Sequence, residues 1–263
     1  MDDANPQPNS PLKSRRRWFR FSLRSMLVAV TLLCVWLGVI ANRANQQRRA
    51  VERLTSHNGD GAWWSLSYDY QTDEHGSTAL PVNAPRPSPP GPKWLRELIG
   101  IDYFVTFVGA DMYVKSAGDD SIAALEDFPQ LCSLDVHGPG VTDSVFARLS
   151  KLTQLRYLCL YDNSITESGW ESVGRFIHLK RLVLGGSNVT DSALERIAAL
   201  DDLDELRMVD CPITDVEIQH IKKLRRLKFL DIRGTGVTDA GVEDLKRAFP
   251  KMKQSYPKIL VAN

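Results

Sequence analysis

The segment LKRLVLGGSNVTDSALERIAALDD, residues 179–202, is one copy of a 24-residue pattern that occurs five times in the 263-residue chain. The copies follow one another without gaps and begin at Leu131, Leu155, Leu179, Leu203 and Leu227. A second leucine stands three positions later in each copy, at Leu134, Leu158, Leu182, Leu206 and Leu230. Repetition at a fixed period of this length is typical of a solenoid, in which each unit buries its apolar face against its neighbours.

Within one unit, the order of residue types predicts a strand, a turn and a helix. Leu182 and Leu184 alternate with outward-facing residues, as side chains do along a strand. After the glycine turn, Thr190-Asp191 offers acceptors for the free N–H groups at the start of a helix. Apolar residues then recur at helical spacing at Leu194, Ile197 and Leu200. We therefore predict an α/β leucine-rich solenoid, with a parallel sheet on the concave side and helices on the convex side.

The same register continues with less regularity on the N-terminal side of the five copies. Projecting it backwards reaches apolar residues at Phe107, Ala110, Met112, Ile122, Leu125 and Phe128. Terminal repeats are expected to be atypical, because they face solvent on one side. We predict a degenerate sixth unit here, a capping helix over 94–99 and a closing strand over 258–261, all within a repeat domain of residues 94–263.

An apolar run near the N-terminus predicts one membrane span over residues 21–42. The 18 residues from Ser25 to Asn42 carry no charge, and 18 helical residues rise about 27 Å, close to the hydrocarbon thickness of a bilayer. A buried helix of a soluble core is the first alternative. A cleaved signal peptide, with Val39 and Ala41 as small residues before the cut, is the second and would leave a secreted repeat protein.

Charge and composition divide the rest of the N-terminal region. Six of the 33 lysines and arginines precede the end of the span, which favours a basic cytoplasmic segment over 1–20 and a repeat domain outside the cytoplasm, anchored in the inner membrane. Residues 43–71 are predicted to form a juxtamembrane helix and a strand, with the strand at 62–71. Residues 72–93 are predicted to be a proline-rich linker.

The repeat unit LxxLxLxx(N/T/C)x(V/I)T(D/E)x(G/A)(L/V), over residues 107–250, resembles the leucine-rich repeat of the ribonuclease-inhibitor-like and cysteine-containing class. The layout RFSLRSMLVAVTLLCVWLGV (20–39), PGPKWLRELIG (90–100) and then the repeats resembles a group of bacterial membrane-anchored leucine-rich repeat proteins. That resemblance implies no common reaction. Pro139 and Ser187 depart from the family at a turn position where it prefers Asn, Thr or Cys.

No pattern of residues predicts catalysis, a cofactor or a metal site. One carboxylate follows the threonine of every copy, at Asp143, Glu167, Asp191, Asp215 and Asp239. A single acid at the start of a helix is expected to interact with the helix dipole rather than with a cation. The histidines and cysteines are scattered in repeat phase. His137 is expected to face outward beside Asp135, either in a hydrogen-bonded pair with it or, as we expect, as solvated polar surface, and Cys211 is expected to fill a turn.

The variable strand positions remain as the predicted site of function. Aromatic residues and arginines, which are enriched at interaction hot spots, occur there on the predicted concave face. The predicted binding residues are Tyr157, Tyr161, Arg181, Val183, Arg207, Phe229, Asp231 and Arg233. We expect a protein partner and no nucleic acid, because the chain beyond the span has no excess of basic residues. A structural module of the cell envelope without a defined ligand is the alternative. The basic cluster over 222–228 is expected to be a solvated helix end.

Overall fold

The computed structural model describes residues 23–56, 64–68, 88–100, 107–113, 125–126, 128–250 and 259–260. The predicted basic segment 1–20 and most of the predicted linker 72–93 lie outside the described residues. Two compact units are present, Met1–Ala41 and Asn42–Asn263.

The larger unit is built on one eight-stranded sheet whose strands follow chain order. The strands are β1 (Trp64–Tyr68), β2 (Phe107–Tyr113), β3 (Ser133–His137), β4 (Tyr157–Tyr161), β5 (Arg181–Gly185), β6 (Glu205–Val209), β7 (Phe229–Asp231) and β8 (Ile259–Leu260). All neighbouring pairs from β2 to β8 are parallel, whereas β1 pairs with β2 antiparallel. The sheet therefore grows by one parallel strand per repeat.

The 24-residue period of the sequence becomes the register of the sheet. From β3 to β7 each residue pairs with the residue 24 positions later, as Leu134 does with Leu158 and Leu158 with Leu182. The leucines of this ladder are fully buried and belong to one continuous core. The predicted leucine-rich solenoid is confirmed by this geometry.

Helices fill the intervals between the parallel strands. They are α3 (Asp143–Leu149), α4 (Glu167–Trp170) with a following 3-10 helix (Glu171–Arg175), α5 (Asp191–Ile197), α6 (Ile218–Ile221) and α7 (Asp239–Ala248). Leu194 and Ile197 of α5 are buried in the same core as Leu182 and Leu184 of β5. The helices thus cover the leucine face of the sheet and leave its other face uncovered; we call that other face the open face.

The N-terminal end of the larger unit is covered by segments that do not follow the repeat. Helix α1 (Leu23–Ser56) extends past residue 42, and three of its residues at helical spacing, Ala44, Gln47 and Ala50, are buried. Ala50 joins the continuous core. Strand β1 pairs with β2 and forms the N-terminal edge of the sheet, and α2 (Lys93–Ile99) follows β1 in the chain. Residues before the repeats therefore shield the first strand from solvent, as a terminal cap must.

The N-terminal part of α1 is strongly apolar. Over Leu23–Glu52 the best 18-residue window has a mean hydropathy of 2.2, and none of that window is buried within the chain. Large apolar side chains such as Leu27, Leu32 and Trp36 are exposed along it. The helix is long and apolar enough to cross a bilayer; a signal sequence has the same two properties.

Candidate functional site on the open face

The open face carries three columns of side chains, since alternate residues of each strand point to it and the strands are in register. The column through the middle of the strands is Asp111, Asp135, Cys159, Val183, Arg207 and Asp231. The column on one side is Gly109, Ser133, Tyr157, Arg181, Glu205 and Phe229. The column on the other side includes His137, Tyr161, Gly185 and Val209. Neighbours within a column are one strand spacing apart, about 4.8 Å.

The N-terminal end of the face is occupied by two carboxylates and an imidazole. His137 Nε2 lies 2.9 Å from Asp135 Oδ1 and 3.4 Å from Asp111 Oδ1. Burial raises the pKa of both carboxyls, and the nearby His137 opposes that rise without cancelling it. His137 therefore lies beside Asp135, as expected, and belongs to a close cluster that also includes Asp111.

The middle of the face is aromatic. The Tyr161 ring stacks on His137, with ring centroids 5.6 Å apart and planes inclined by 19°. On its other side the Tyr161 ring covers Gly185, where a Cβ would overlap the ring carbons. Burial raises the pKa of the Cys159 thiol and of the Tyr157 hydroxyl above their ordinary values. Both groups therefore stay neutral at physiological pH.

The C-terminal half of the face is organised around Glu205. One carboxylate oxygen accepts from Arg207 Nε at 2.6 Å, and the other lies 3.2 Å from Arg181 Nε. The Arg207 guanidinium in turn lies over the Phe229 ring, 4.9 Å from its centroid. Pairing to one carboxylate fixes two long side chains that would otherwise sample many rotamers.

Asp231, buried beneath the open face, pairs with a third arginine, Arg233. The Asp231 side chain is fully buried, and it accepts from Arg233 Nε at 2.9 Å and from Arg233 Nη2 at 2.7 Å. Hydrogen bonding and charge from Asp231 raise the pKa of Arg233. This bidentate pair orients the guanidinium, which remains about half exposed.

The structure places all eight predicted binding residues on or beside the open face, but it does not expose all of them. Tyr157, Tyr161, Arg181, Arg207, Phe229 and Arg233 are partly or largely accessible. Val183, between Cys159 and Arg207 in register, is only 5% exposed, and Asp231 is inaccessible. These two residues therefore lie beneath the more accessible side chains of the face.

Sequence reasoning left two important residues of the face out of the predicted site. Glu205, which holds both Arg181 and Arg207, occupies an outward strand position of its repeat. Asp111 occupies the strand position equivalent to Asp135, but in the degenerate unit. Asp111 can be predicted from sequence by extending the alternation of inward and outward strand residues one unit towards the N-terminus.

Four acids of the carboxylate column lie in the first turn of their own helices, as expected, but two members of the column, Asp143 and Asp215, also bond to the following repeat, which was not expected. Asp143 Oδ1 accepts from the Thr166 backbone N–H at 2.7 Å, and its Oδ2 accepts from the Thr166 hydroxyl at 2.6 Å. Asp215 makes the same pair of bonds to Thr238, at 2.9 and 2.6 Å. Two of the acids thus tie one repeat to the start of the next helix.

In three of the five copies, the residue three positions after the threonine depends on which carboxylate caps the start of the helix. Gly169 and Gly241 stand where Asp143 and Asp215 reach over, and a Cβ at either glycine would overlap the carboxylate. Where this residue is Glu217, its own carboxylate accepts from the Thr214 N–H at 2.7 Å. The variation at this position is therefore structural.

The remaining candidates are accounted for by local contacts. Lys222, Arg226 and Lys228 of the basic cluster pair with Asp244, Asp202 and Asp204, respectively. Cys211 is buried at a turn, where its Sγ lies 3.5 Å from the Leu184 carbonyl oxygen, and burial raises its pKa to about 11. None of the four cysteines, all of which lie in described parts of the chain, forms a disulfide bond.

A parallel sheet that advances 24 residues per strand, with a leucine ladder on one face and helices between its strands, is the architecture of a leucine-rich repeat protein. No protein-family model matches the chain, and no curated protein does.

Among solved structures, the chain is similar to a protein from Bacteroides fragilis, with a TM-score of 0.40 and 19% identity over 53% of this chain and 52% of that one. It is also similar to a leucine-rich repeat protein from Leptospira interrogans, with a TM-score of 0.38 and 18% identity over 54% and 39% of the two chains. A pollen receptor kinase gives a TM-score of 0.34 and 17% identity over 74% and 87%. The chain spans about half of the first structure and less of the second, and the fold assignment rests on the repeat geometry above.

Proposed function

We propose that this chain is a single-pass inner-membrane protein that displays its repeats outside the cytoplasm and binds another protein through the open face. The observation that carries the proposal is the fixed Arg181, Glu205, Arg207 and Phe229 array. Arginine and aromatic side chains dominate binding hot spots, and side chains that are already ordered lose less entropy when a partner binds.

The charge balance of the face favours a protein partner over a nucleic acid. Glu205 lies beside Arg181 and Arg207, and Asp231 pairs with Arg233. Each of these arginines is thus partly neutralised, whereas a phosphate backbone is bound by uncompensated cations. The opposite end of the face carries the side chains of Asp111, Asp135 and His137 and adds no lysine or arginine to it.

The apolar part of α1 supports the anchoring, since its apolar side chains are exposed along an uncharged helical stretch. The basic residues before the span support a cytoplasmic N-terminus. The proposed role requires no catalysis.

Protease treatment of spheroplasts tests the topology. We expect the repeats to be digested while the inner membrane is intact, with a cytoplasmic marker protein in the same sample remaining protected. Digestion only after the membrane is broken would place the repeats in the cytoplasm and contradict the proposal.

Paired alanine variants separate binding from a purely structural role in the envelope. Arg207→Ala with Phe229→Ala removes two accessible residues of the open face, whereas Arg196→Ala with Val216→Ala removes two exposed residues of the helical side. We expect the first pair to reduce recovery of a co-purifying partner at least tenfold and the second pair to leave it unchanged. Equal recovery from both pairs would favour the structural role.

A further inference from the structure

Three metal-ligating side chains converge at the N-terminal end of the open face. Asp111 of β2 and Asp135 of β3 are paired in register, and His137 follows Asp135 by two residues on the same side of β3. One carboxylate oxygen from each aspartate and Nε2 of the histidine all lie within 4.8 Å of one another. The position is set by two neighbouring strands rather than by loops, so it is rigid.

The distances match those between ligands that share one ion. His137 Nε2 is 2.9 Å from Asp135 Oδ1 and 3.4 Å from Asp111 Oδ1. Metal–ligand bonds of about 2.1 Å place neighbouring ligand atoms about 3.0 Å apart in an octahedron and about 3.4 Å apart in a tetrahedron. Two of the three distances between ligand atoms therefore suit a shared ion, and the third, between the two carboxylate oxygens, is within 4.8 Å.

Both oxygens lie close to His137 Nε2, but no described residue satisfies them with a hydrogen bond. Asp111 Oδ1 and Asp135 Oδ1 are both buried, and neither accepts a hydrogen bond with acceptable geometry from any described residue. Buried polar atoms are nearly always partnered, so each such exception needs a cause. A protonated His137 would supply a single Nε2–H for the two oxygens, whereas a cation serves both of them and the imidazole nitrogen together.

The surroundings orient the three ligands. The Tyr161 ring stacks on the His137 imidazole, and Cys159 lies beside Asp135 in register on the neighbouring strand. Such contacts fix the orientation of metal ligands and strengthen binding. The side chains of Asp111, Asp135 and His137 are 42%, 27% and 26% exposed, so an ion can reach them from solvent.

We propose that Asp111, Asp135 and His137 bind one divalent transition-metal ion of the Zn²⁺ class on the open face. One imidazole nitrogen with two carboxylate oxygens suits Zn²⁺ and its first-row neighbours, and the nitrogen ligand disfavours Mg²⁺ and Ca²⁺. Three protein ligands leave a coordination position for water or for a group of the bound partner. The site shares no residue with the array of Arg181, Glu205, Arg207 and Phe229, so its test is independent of the test of the proposed function.

The chain contains a matched control pair. His220 Nε2 lies 2.8 Å from Asp191 Oδ1, but only one carboxylate is present and the other imidazole nitrogen lies 3.4 Å from Lys223 Nζ. A neighbouring ammonium group disfavours a cation there. His220→Asn therefore removes a histidine beside an aspartate without touching the proposed site.

Titration of the detergent-solubilised full chain, purified without a histidine tag, with ZnCl₂ tests the proposal calorimetrically. We expect one Zn²⁺ per chain, weakened at least tenfold in His137→Asn, in Asp135→Asn and in Asp111→Asn, and unchanged in His220→Asn. Binding of Co²⁺ should give a visible d–d absorption that is lost in the same three variants. Two aspartate variants keep the test valid if His137→Asn fails to fold.

Two results would overturn the site. One is the absence of saturable Zn²⁺ binding to the unaltered chain, and the other is binding to a folded His137→Asn or Asp135→Asn chain that equals that of the unaltered chain. Displacement of Zn²⁺ by an equal concentration of Mg²⁺ would contradict the assignment to a transition metal.

Discussion

Asp143 of one repeat caps the helix start of the next by accepting both the backbone N–H and the hydroxyl of Thr166, at 2.7 and 2.6 Å. Ser168 of the same helix adds a third hydrogen bond to this carboxylate, at 2.7 Å. Solenoid stability depends on interfaces between neighbouring repeats. A polar contact of this kind therefore couples two units that the leucine ladder already joins.

Removing this carboxylate should weaken the interface. We expect Asp143→Ala to lower the free energy of unfolding by about 1 kcal/mol, the usual cost of losing a helix-capping side chain. Glu167→Ala is the matched control, because Glu167 occupies the same repeat position and makes no hydrogen bond with its side chain among the described residues. Urea unfolding of the solubilised full chain measures both; equal losses would contradict the capping role of Asp143.

The Asp143 contribution should also depend on pH. Desolvation raises the pKa of Asp143, but hydrogen bonds from Thr166 and Ser168 outweigh it and leave the pKa below its ordinary value. A carboxyl group whose pKa is lower in the folded state stabilises the fold at pH values above its unfolded-state pKa, about 3.9. This contribution is lost as the pH falls through the folded-state pKa. The stability difference between the unaltered chain and Asp143→Asn should therefore shrink as pH falls from 6 towards 3. A constant difference over that range would refute the account.

Gly169 should tolerate no side chain while Asp143 is in place. A Cβ at Gly169 overlaps Asp143 Oδ1 and approaches Ile165 Cγ2 at 2.8 Å, so we expect Gly169→Ala to cost about 1 to 3 kcal/mol. Gly174→Ala is the control, because a Cβ there meets no atom within 4 Å. The stability lost in the double variant Gly169→Ala with Asp143→Ala should be smaller than the sum of the losses in the two single variants. Full additivity, measured by urea unfolding, would show that the two residues do not interact.

Two tryptophans should differ sharply in their effect on stability. Trp170 is 1% exposed, packs edge-to-face on Phe146 at 5.4 Å and donates from Nε1 to the Asn188 carbonyl at 3.3 Å. We expect Trp170→Ala to cost about 3 to 5 kcal/mol. Trp94, which is 65% exposed on α2, should cost under about 0.5 kcal/mol when replaced by alanine. Thermal unfolding followed by circular dichroism compares them, and similar shifts would contradict the placement of α2.

An uncleaved anchor predicts the mass of the mature chain. Protein extracted from membranes with detergent should have the full mass of 29.5 kDa, and washing the membranes with alkaline carbonate should not release it. A chain beginning at residue 42 in the soluble fraction would instead support the signal-peptide alternative. Intact-mass spectrometry of both fractions decides between the two.

The strands, their register and their buried leucines were predictable from sequence, because a period of 24 residues repeats the same local interactions in every unit. Burial on the open face was less predictable. Alternation directs Val183 and Asp231 to that face, but their accessibility depends on larger neighbours such as Arg207 and Arg233. Side-chain size across strands, rather than position along one strand, decides which residues a partner can touch.

Interactions between repeats were the least predictable part. The spacing shows that Asp143 and Thr166 occur at fixed positions, but not that the carboxylate reaches the following repeat instead of its own helix. Likewise Asp111 joins Asp135 and His137 only because the degenerate unit keeps strand register after its sequence pattern has faded. Both contacts are tertiary, and a single unit does not encode them.

Site-specific photo-crosslinking in cells that produce the protein tests the central claim, that the open face binds another protein. A photoreactive amino acid is placed at Tyr157 or Phe229 on the open face, and at Glu195 or Val216 on the helical side. We predict a discrete protein adduct from the open-face positions alone, and its loss when Arg207→Ala is added. An adduct of equal yield from the helical side, or none from Tyr157 and Phe229, would contradict the account.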